Sequence, residues 1–362
     1  MTLDEILDIP PYSLRKDDKE KLLLARLNEL TELHRENCPE YARVYGAMGF
    51  TERAGSVEEI PFLHTAMFKE FDMMSVNPSE VVKTLTSSGT SGQKPSKIYL
   101  DRATAQAQQK ALARIMSDFI GSKRIPMIIL DCPSTLKDRK KFSARGAGIL
   151  GFSVFGSKRI YAFDDDMKLD VDSLREFLGK ISKNTLAGGG ADLLLFGFTF
   201  MIWEYFCKAA EKSGLDLSNG ILIHGGGWKK LANEAVSPEE FRRRLHDVCG
   251  ISRVHDYYGM AEQTGCVYMQ CEYGHFHAST FSDVIMRRPG DFSVCRFGER
   301  GIIQTVSVIP QSYPGHSLLT EDEGEILGED DCPCGRAGKY FKVYGRLKGA
   351  EVRGCSDTYE RS

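Results

Sequence analysis

"TLTSSGTSGQKPSKIYLD", residues 84–101, has two readings that lead to different molecules. Rich in serine, threonine and glycine, it can be a flexible linker joining two domains. It can equally be a turn within one folded body, whose amides and hydroxyls grip an anion. The flanks favour a turn. β-favouring "VVKTLT" precedes the polar stretch and "KIYLD" follows it, which predicts a hairpin-like turn between strands. Gly89 and Gly92 allow unusual torsions or close approach to a ligand, and Thr86, Ser87, Ser88, Thr90 and Ser91 supply hydroxyls. The common phosphate loop has four residues between its glycines and then Lys-Ser/Thr, whereas two separate them here. By itself the stretch leaves phosphate gripping and an ordinary polar turn both open.

The chain has 362 residues, enough for one large domain or two to three smaller ones. With 42% hydrophobic and 27% charged residues it reads as a soluble globular protein. A net charge of -3 gives no reason to expect nucleic acid or an anionic membrane as partner. The start "MTLDEILDIPPYS" is acidic and lacks the basic, apolar signature of a signal peptide. The most apolar run, "LLLFGFTFMIW" from Leu193 to Trp203, is too short for a bilayer and predicts a buried helix or pocket wall. Ten cysteines in such a chain point to reduced thiols, metal ligands or catalysis rather than disulfides. The expectation is a cytoplasmic protein with no transmembrane segment.

Leucines 23, 27, 30 and 33, with Leu24 beside them, recur at helical spacing between Asp17 and Glu36. Residues 1–80 are therefore expected to form an N-terminal helical cap. Beyond them "PMIILDCP", "KRIYAF", "GILIHGGG" and "SRVHDYYG" alternate with helical stretches such as "ATAQAQQKALARIMSDFI" and "SPEEFRRRLHDVC". That alternation predicts an α/β core with a substantially parallel sheet over 81–344. From about residue 285 the segments "GIIQTVSVI", "GEILG" and "KYFKVYG" predict a smaller antiparallel β region. Residues 345–362 are left as a hinge and short tail.

Five segments, in order, resemble the adenylate-forming superfamily of acyl-CoA ligases and peptide-synthetase adenylation domains. "SSGTSGQKPSK" resembles its ATP-phosphate loop, with Lys97 the counterpart of the loop lysine because Lys94-Pro95 inverts the usual order. "HGGGWKK" (224–230) resembles the glycine turn, here Gly225, Gly226 and Gly227, that lines the carboxylate and adenine pocket. "YYGMAE" (257–262) resembles the segment whose aromatic, Tyr257 or Tyr258, stacks on adenine before Gly259, and whose Glu262 helps hold Mg²⁺. "LLTED" (318–322) resembles the segment whose Asp322 binds ribose, and "YGRLKG" (344–349) the hinge motif with Arg346. There are departures: Ala261 replaces a threonine, Glu321 stands where glycine is usual, and the C-terminal domain with its catalytic lysine is expected to be missing.

A hinge followed by a short tail containing Cys355 resembles the acyl-protein synthetase (LuxE-type) family, as do "FKEF", "SARGAGILGF", "CEYGHFH" and "CPCG". The resemblance implies an ATP- and Mg²⁺-dependent ligase that makes acyl-AMP from a carboxylic acid of the fatty class. The acyl group then passes to Cys355 and on to a partner protein such as an acyl reductase. Thiolate attack on a mixed anhydride suits that step. The six residues from Gly349 reach at most ~20 Å, and Arg346, Lys348 and Arg353 lie nearby in sequence. His224 is a candidate to polarise the carboxylate or deprotonate the thiol, with a structural histidine as the plain alternative. Cys271, His277, Cys332 and Cys334, with His275 and Cys266 as substitutes, suit structural Zn²⁺. Phe196, Phe198, Phe200 and Trp203 are candidates to line an acyl tunnel, or are simply core. The alternatives are a ligase that delivers to coenzyme A or a carrier protein, and a non-catalytic scaffold that binds nucleotide or acyl groups.

Overall fold

The structure is a computed structural model that describes residues 1–50, 52–87, 94–136, 144–182, 193–228 and 235–347. Ser88, Gly89, Thr90, Ser91, Gly92 and Cys355 lie outside the described residues, as do Lys348 and Arg353. The chain divides into two compact units: Met1–Ile115 with the chain from Tyr258, and Met116–Tyr257.

The Met116–Tyr257 unit is built on a five-stranded parallel sheet. Its strands lie in the spatial order Gly156–Tyr161, Ile125–Ile129, Leu193–Phe198, Gly220–Gly225, Arg253–Tyr258. In chain order this is 2-1-3-4-5, a doubly wound arrangement whose ligands belong at the carboxyl ends of the strands. The apolar run Leu193–Trp203, expected to be a buried helix or pocket wall, opens with a strand, Leu193–Phe198, whose six residues are all buried. It turns at Thr199 into a helix that widens to a π-helix over Ile202–Cys207. Unbroken apolar sequence suits a central parallel strand covered on both faces, and periodicity alone does not separate it from a buried helix. The helix Pro238–Cys249 follows its end signals: Ser237 caps Glu240 N, proline opens it, and Gly250 closes it at φ 78°.

The other unit carries an antiparallel sheet ordered Ser282–Arg287, Arg300–Ser307, Ser317–Glu329, Lys339–Arg346, Phe276–His277, Tyr268–Gln270. Leu63–His64 joins it in parallel against Leu318 and Leu319. Pairing of Ser317–Glu329 with Lys339–Arg346 shifts register twice, leaving Tyr344 unpaired on one strand and Leu327 on the other. The opening stretch is not a linker. Lys83–Thr86 and Lys97–Leu100 pair antiparallel, Thr86 opposite Lys97, and Ser87 N donates to Ser96 O at 3.1 Å.

Helix Lys16–Asn37 turns Lys19, Leu23, Leu27, Asn28, Leu30, Thr31 and His34 inward, so four polar residues share the leucine stripe. Lys19 Nζ donates to Ala278 O at 3.1 Å and lies 3.7 Å from Asp283. His34 donates through Nε2 to Pro310 O (3.1 Å) and accepts at Nδ1 from Ser75 (2.7 Å). His316 donates through Nε2 to Thr31 Oγ1 (3.0 Å), whose own proton goes to Leu27 O. Burial pushes His34 down from 6.5 to about 3, and pushes His316 well below 6.5. Both are neutral when folded and regain the ordinary value when unfolded. Their contribution is therefore complete above about pH 6.5 and drains away as pH falls towards 3, by about 2 kcal/mol for His34 at pH 5. Urea unfolding at pH 7 and pH 5 should show the loss, and His34→Gln should shrink it. A pH difference unchanged by that substitution would refute the assignment.

Candidate active site

In the unit containing the antiparallel sheet, Asp322 lies in register with Arg346 on the neighbouring strand. The Tyr258 hydroxyl donates to Asp322 Oδ2 at 2.8 Å. Burial, and then the charge of Asp322, push the Tyr258 phenol well above its ordinary value, so it stays a donor. Arg346 Nη1 donates to Glu321 Oε2 at 2.8 Å, and its Nε lies 4.0 Å from Asp322 Oδ1. Gly259 follows Tyr258 and is exposed. Glu262 sits on the short turn Ala261–Gln263, anchored by Gln263 Nε2 donating to Gly315 O at 2.9 Å. Its carboxylate is buried, 4% exposed, and Oε1 has no hydrogen-bond partner among the described residues. An orphaned buried carboxylate oxygen is costly unless a cation or donor completes it, and Mg²⁺ suits such an oxygen. Lys97 Nζ lies 3.3 Å from Asp72 Oδ1, which also accepts from Tyr99 at 2.5 Å.

In the parallel-sheet unit, His224 and Asp256 face each other in register across adjacent strands, with Nδ1 3.7 Å from Oδ1. His224 Nδ1 lies 2.9 Å from Thr199 Oγ1, which donates onward to Gly225 O at 3.3 Å. That chain is satisfied when Nδ1 carries the proton, leaving Nε2 as an acceptor. Burial, aided by Arg242 and His255, pushes the imidazole down to about 3. It is thus a neutral hydrogen-bonding group and a weak base. Tyr257 rests on Phe152 with ring centroids 4.9 Å apart, and a Cβ at Gly225 would come within 2.4 Å of its ring. Gly226 adopts φ 78°, a left-handed conformation, so the turn Gly225–Gly227 needs glycine for both fit and torsion. Phe196 and Phe198 pack edge to face at 5.8 Å, and Trp203 meets Trp228 at 5.6 Å.

Cys271, His277, Cys332 and Cys334 bring three sulfurs and an imidazole nitrogen within 4.8 Å of one another. His277 Nε2 is 3.3 Å from Cys334 Sγ, and His275 Nδ1 is 3.4 Å from Cys332 Sγ. Of the two substitutes, His275 therefore flanks the cluster. Cys266 stands apart, against Ser307 Oγ at 3.3 Å. The nine described cysteines are all free.

Sequence reasoning passed over Asp72, Tyr99 and Thr199, and noted Glu321 only as a departure. Only Glu321 carried a signal, as an acid beside the ribose aspartate. The other three become visible only through partners more than twenty positions away.

Among the described residues, no helix is long and apolar enough to cross a membrane. The family model described as "Acyl-protein synthetase, LuxE" matches residues 2–362. The chain is 23% identical over 353 residues to the long-chain-fatty-acid--luciferin-component ligase of Vibrio harveyi, covering 93% of this chain and 87% of that one. It is 22% identical over 359 residues to the protein of the same name from Aliivibrio fischeri, covering 95% and 88%. Among solved structures, 2-hydroxyisobutyryl-CoA ligase in the postadenylation state superposes with a TM-score of 0.70 at 19% identity, covering 92% of this chain and 69% of that one. Its open conformation gives 0.71 at 18%, covering 93% and 76%. The fold is that of the adenylate-forming ligases.

Proposed function

Because the chain belongs to the acyl-protein synthetase family LuxE, and is a ligase with the adenylate-forming fold, we propose that it activates a fatty acid as acyl-AMP and then acylates its own Cys355. The observation that carries this reading is the Tyr258–Asp322 bond beside Arg346. It presents two carboxylate oxygens for ribose hydroxyls next to a cation suited to phosphate. Tyr258 is the tyrosine we assign to the nucleotide, since its hydroxyl orients that carboxylate.

A carboxylate oxygen of the acid attacks the α-phosphorus of ATP and pyrophosphate leaves. The segment Thr86–Lys97 would hold the triphosphate, and Glu262 would hold Mg²⁺, which screens the charge on the phosphates. The Cys355 thiolate then attacks the acyl carbonyl, a thioester forms, and AMP departs. Gly225–Gly227 and His224 would line the acid's approach, with His224 as a hydrogen-bond acceptor. An acyl reductase is the proposed recipient. The deciding measurement is ATP–pyrophosphate exchange across a panel of carboxylic acids, with fatty acids expected to lead. Exchange with none of them would refute the proposal.

Cys271, His277, Cys332 and Cys334 fit zinc by donor chemistry, three thiolates and an imidazole with no open position, so the ion would be structural. Protein purified without chelator is expected to hold about one zinc per chain, and Cys334→Ser to lower Tm by roughly 5 °C. Less than about half an equivalent in the wild type would refute it.

A further inference from the structure

We propose that Glu321 is a positioning residue that holds Arg346 in the nucleotide-free chain and surrenders it when a triphosphate arrives. The inference rests on the reading above, in which Arg346 faces ATP. Arg346 is the last residue of its strand, and the register that sets it opposite Asp322 brings Glu321 alongside. The guanidinium is bonded to Glu321 Oε2 at 2.8 Å, and the next backbone amide, Leu347 N, donates to Glu321 O at 2.9 Å. Glu321 thus grips the strand end through its side chain and its main chain together.

Two features make the side-chain grip exchangeable. The Glu321 and Arg346 side chains are 16% and 30% exposed, so their partners can change without first being desolvated. A guanidinium also carries five donors in a planar fork, which a polyphosphate can engage bidentately. Asp322 adds a second carboxylate beside the same cation. Among the described residues, Glu321 and Asp322 set two negative groups beside Arg346, and each opposes an incoming polyanion. Neutralising Glu321 removes both a competitor for Arg346 and part of that repulsion, and only the first of these acts through Arg346.

A double-mutant cycle separates them. Equilibrium dialysis of the full chain against Mg–ATP is run for the wild type, Glu321→Gln, Arg346→Gln and the double variant, with Glu321→Asp as the conservative control. Glu321→Gln is expected to tighten ATP binding by about two- to fivefold, the scale of a partly exposed ion pair. The gain should be clearly smaller in the Arg346→Gln background, where only the repulsion is left to relieve, and Glu321→Asp should keep wild-type affinity. In pyrophosphate exchange the change should appear in KM for ATP and not in kcat. Equal tightening in both backgrounds would reduce Glu321 to plain repulsion and overturn the proposal. Weaker binding in Glu321→Gln would overturn it too, by showing that Glu321 aims Arg346 at the phosphates. A wild-type chain that binds no ATP takes the nucleotide reading down with it, whereas ATP binding with additive effects removes only the role of Glu321.

Discussion

Cys355→Ser is expected to abolish covalent labelling of the chain by radiolabelled acid and ATP, while ATP–pyrophosphate exchange continues. The two half-reactions use different atoms. Exchange needs only the acid, the nucleotide and the groups around them, and is complete before a thiol is required. Labelling needs a nucleophile that can displace AMP from a mixed anhydride, and a serine hydroxyl without an activating base is a far poorer one than a thiolate. Loss of a nucleophile costs about 10⁴-fold or more, which in single-turnover labelling reads as none. Cys355 can be tested this cleanly because the nine other thiols belong to the described residues and eight of them are buried, with Cys334 in the metal cluster. Undiminished labelling would exclude Cys355 as acceptor. Loss of exchange together with labelling would place the cysteine in the first step.

Glu262→Gln is expected to lower pyrophosphate exchange by about 10²–10³-fold, the scale of removing one preorganised electrostatic group from an active site. The substitution keeps the size of the side chain and deletes its charge. Among the described residues Oε1 is buried without a partner, so its desolvation is already complete and a ligand can make use of it. A glutamine in the same cavity offers a weak ligand for a divalent cation. Raising the Mg²⁺ concentration should recover part of the rate in Glu262→Gln and little in the wild type. A variant with wild-type exchange at every Mg²⁺ concentration would refute the role.

Local signals carry much of this fold. The pairing of Lys83–Thr86 with Lys97–Leu100 is legible because β-favouring residues flank a glycine-rich stretch, and helix Pro238–Cys249 because serine, proline and glycine mark its ends. The cysteine–histidine set is legible because few residue types bind soft metals. What stays hidden depends on contacts distant in sequence. Lys19 and His34 look like solvated members of a charged helix, yet their partners are Asp283 and Ala278 in one case, and Ser75 and Pro310 in the other. The strand Leu193–Phe198 is indistinguishable from a helix until its neighbours on both sides are known. The pairing of Glu321 with Arg346 follows from strand register, which no local pattern encodes.

That register depends on parity. Each unpaired residue sets the pairing off by one while the paired residues on either side keep a shared face, so a lone bulge would leave the far end of the ladder one residue out of step with the turn. Between the Cys332–Cys334 turn and Arg346 the two strands contribute one such residue each, Leu327 and Tyr344, and the offsets cancel. The opposed pair returns the pairing at the Arg346 end to the offset it has at the turn. The compensation is visible in the ladder and in neither segment read by itself.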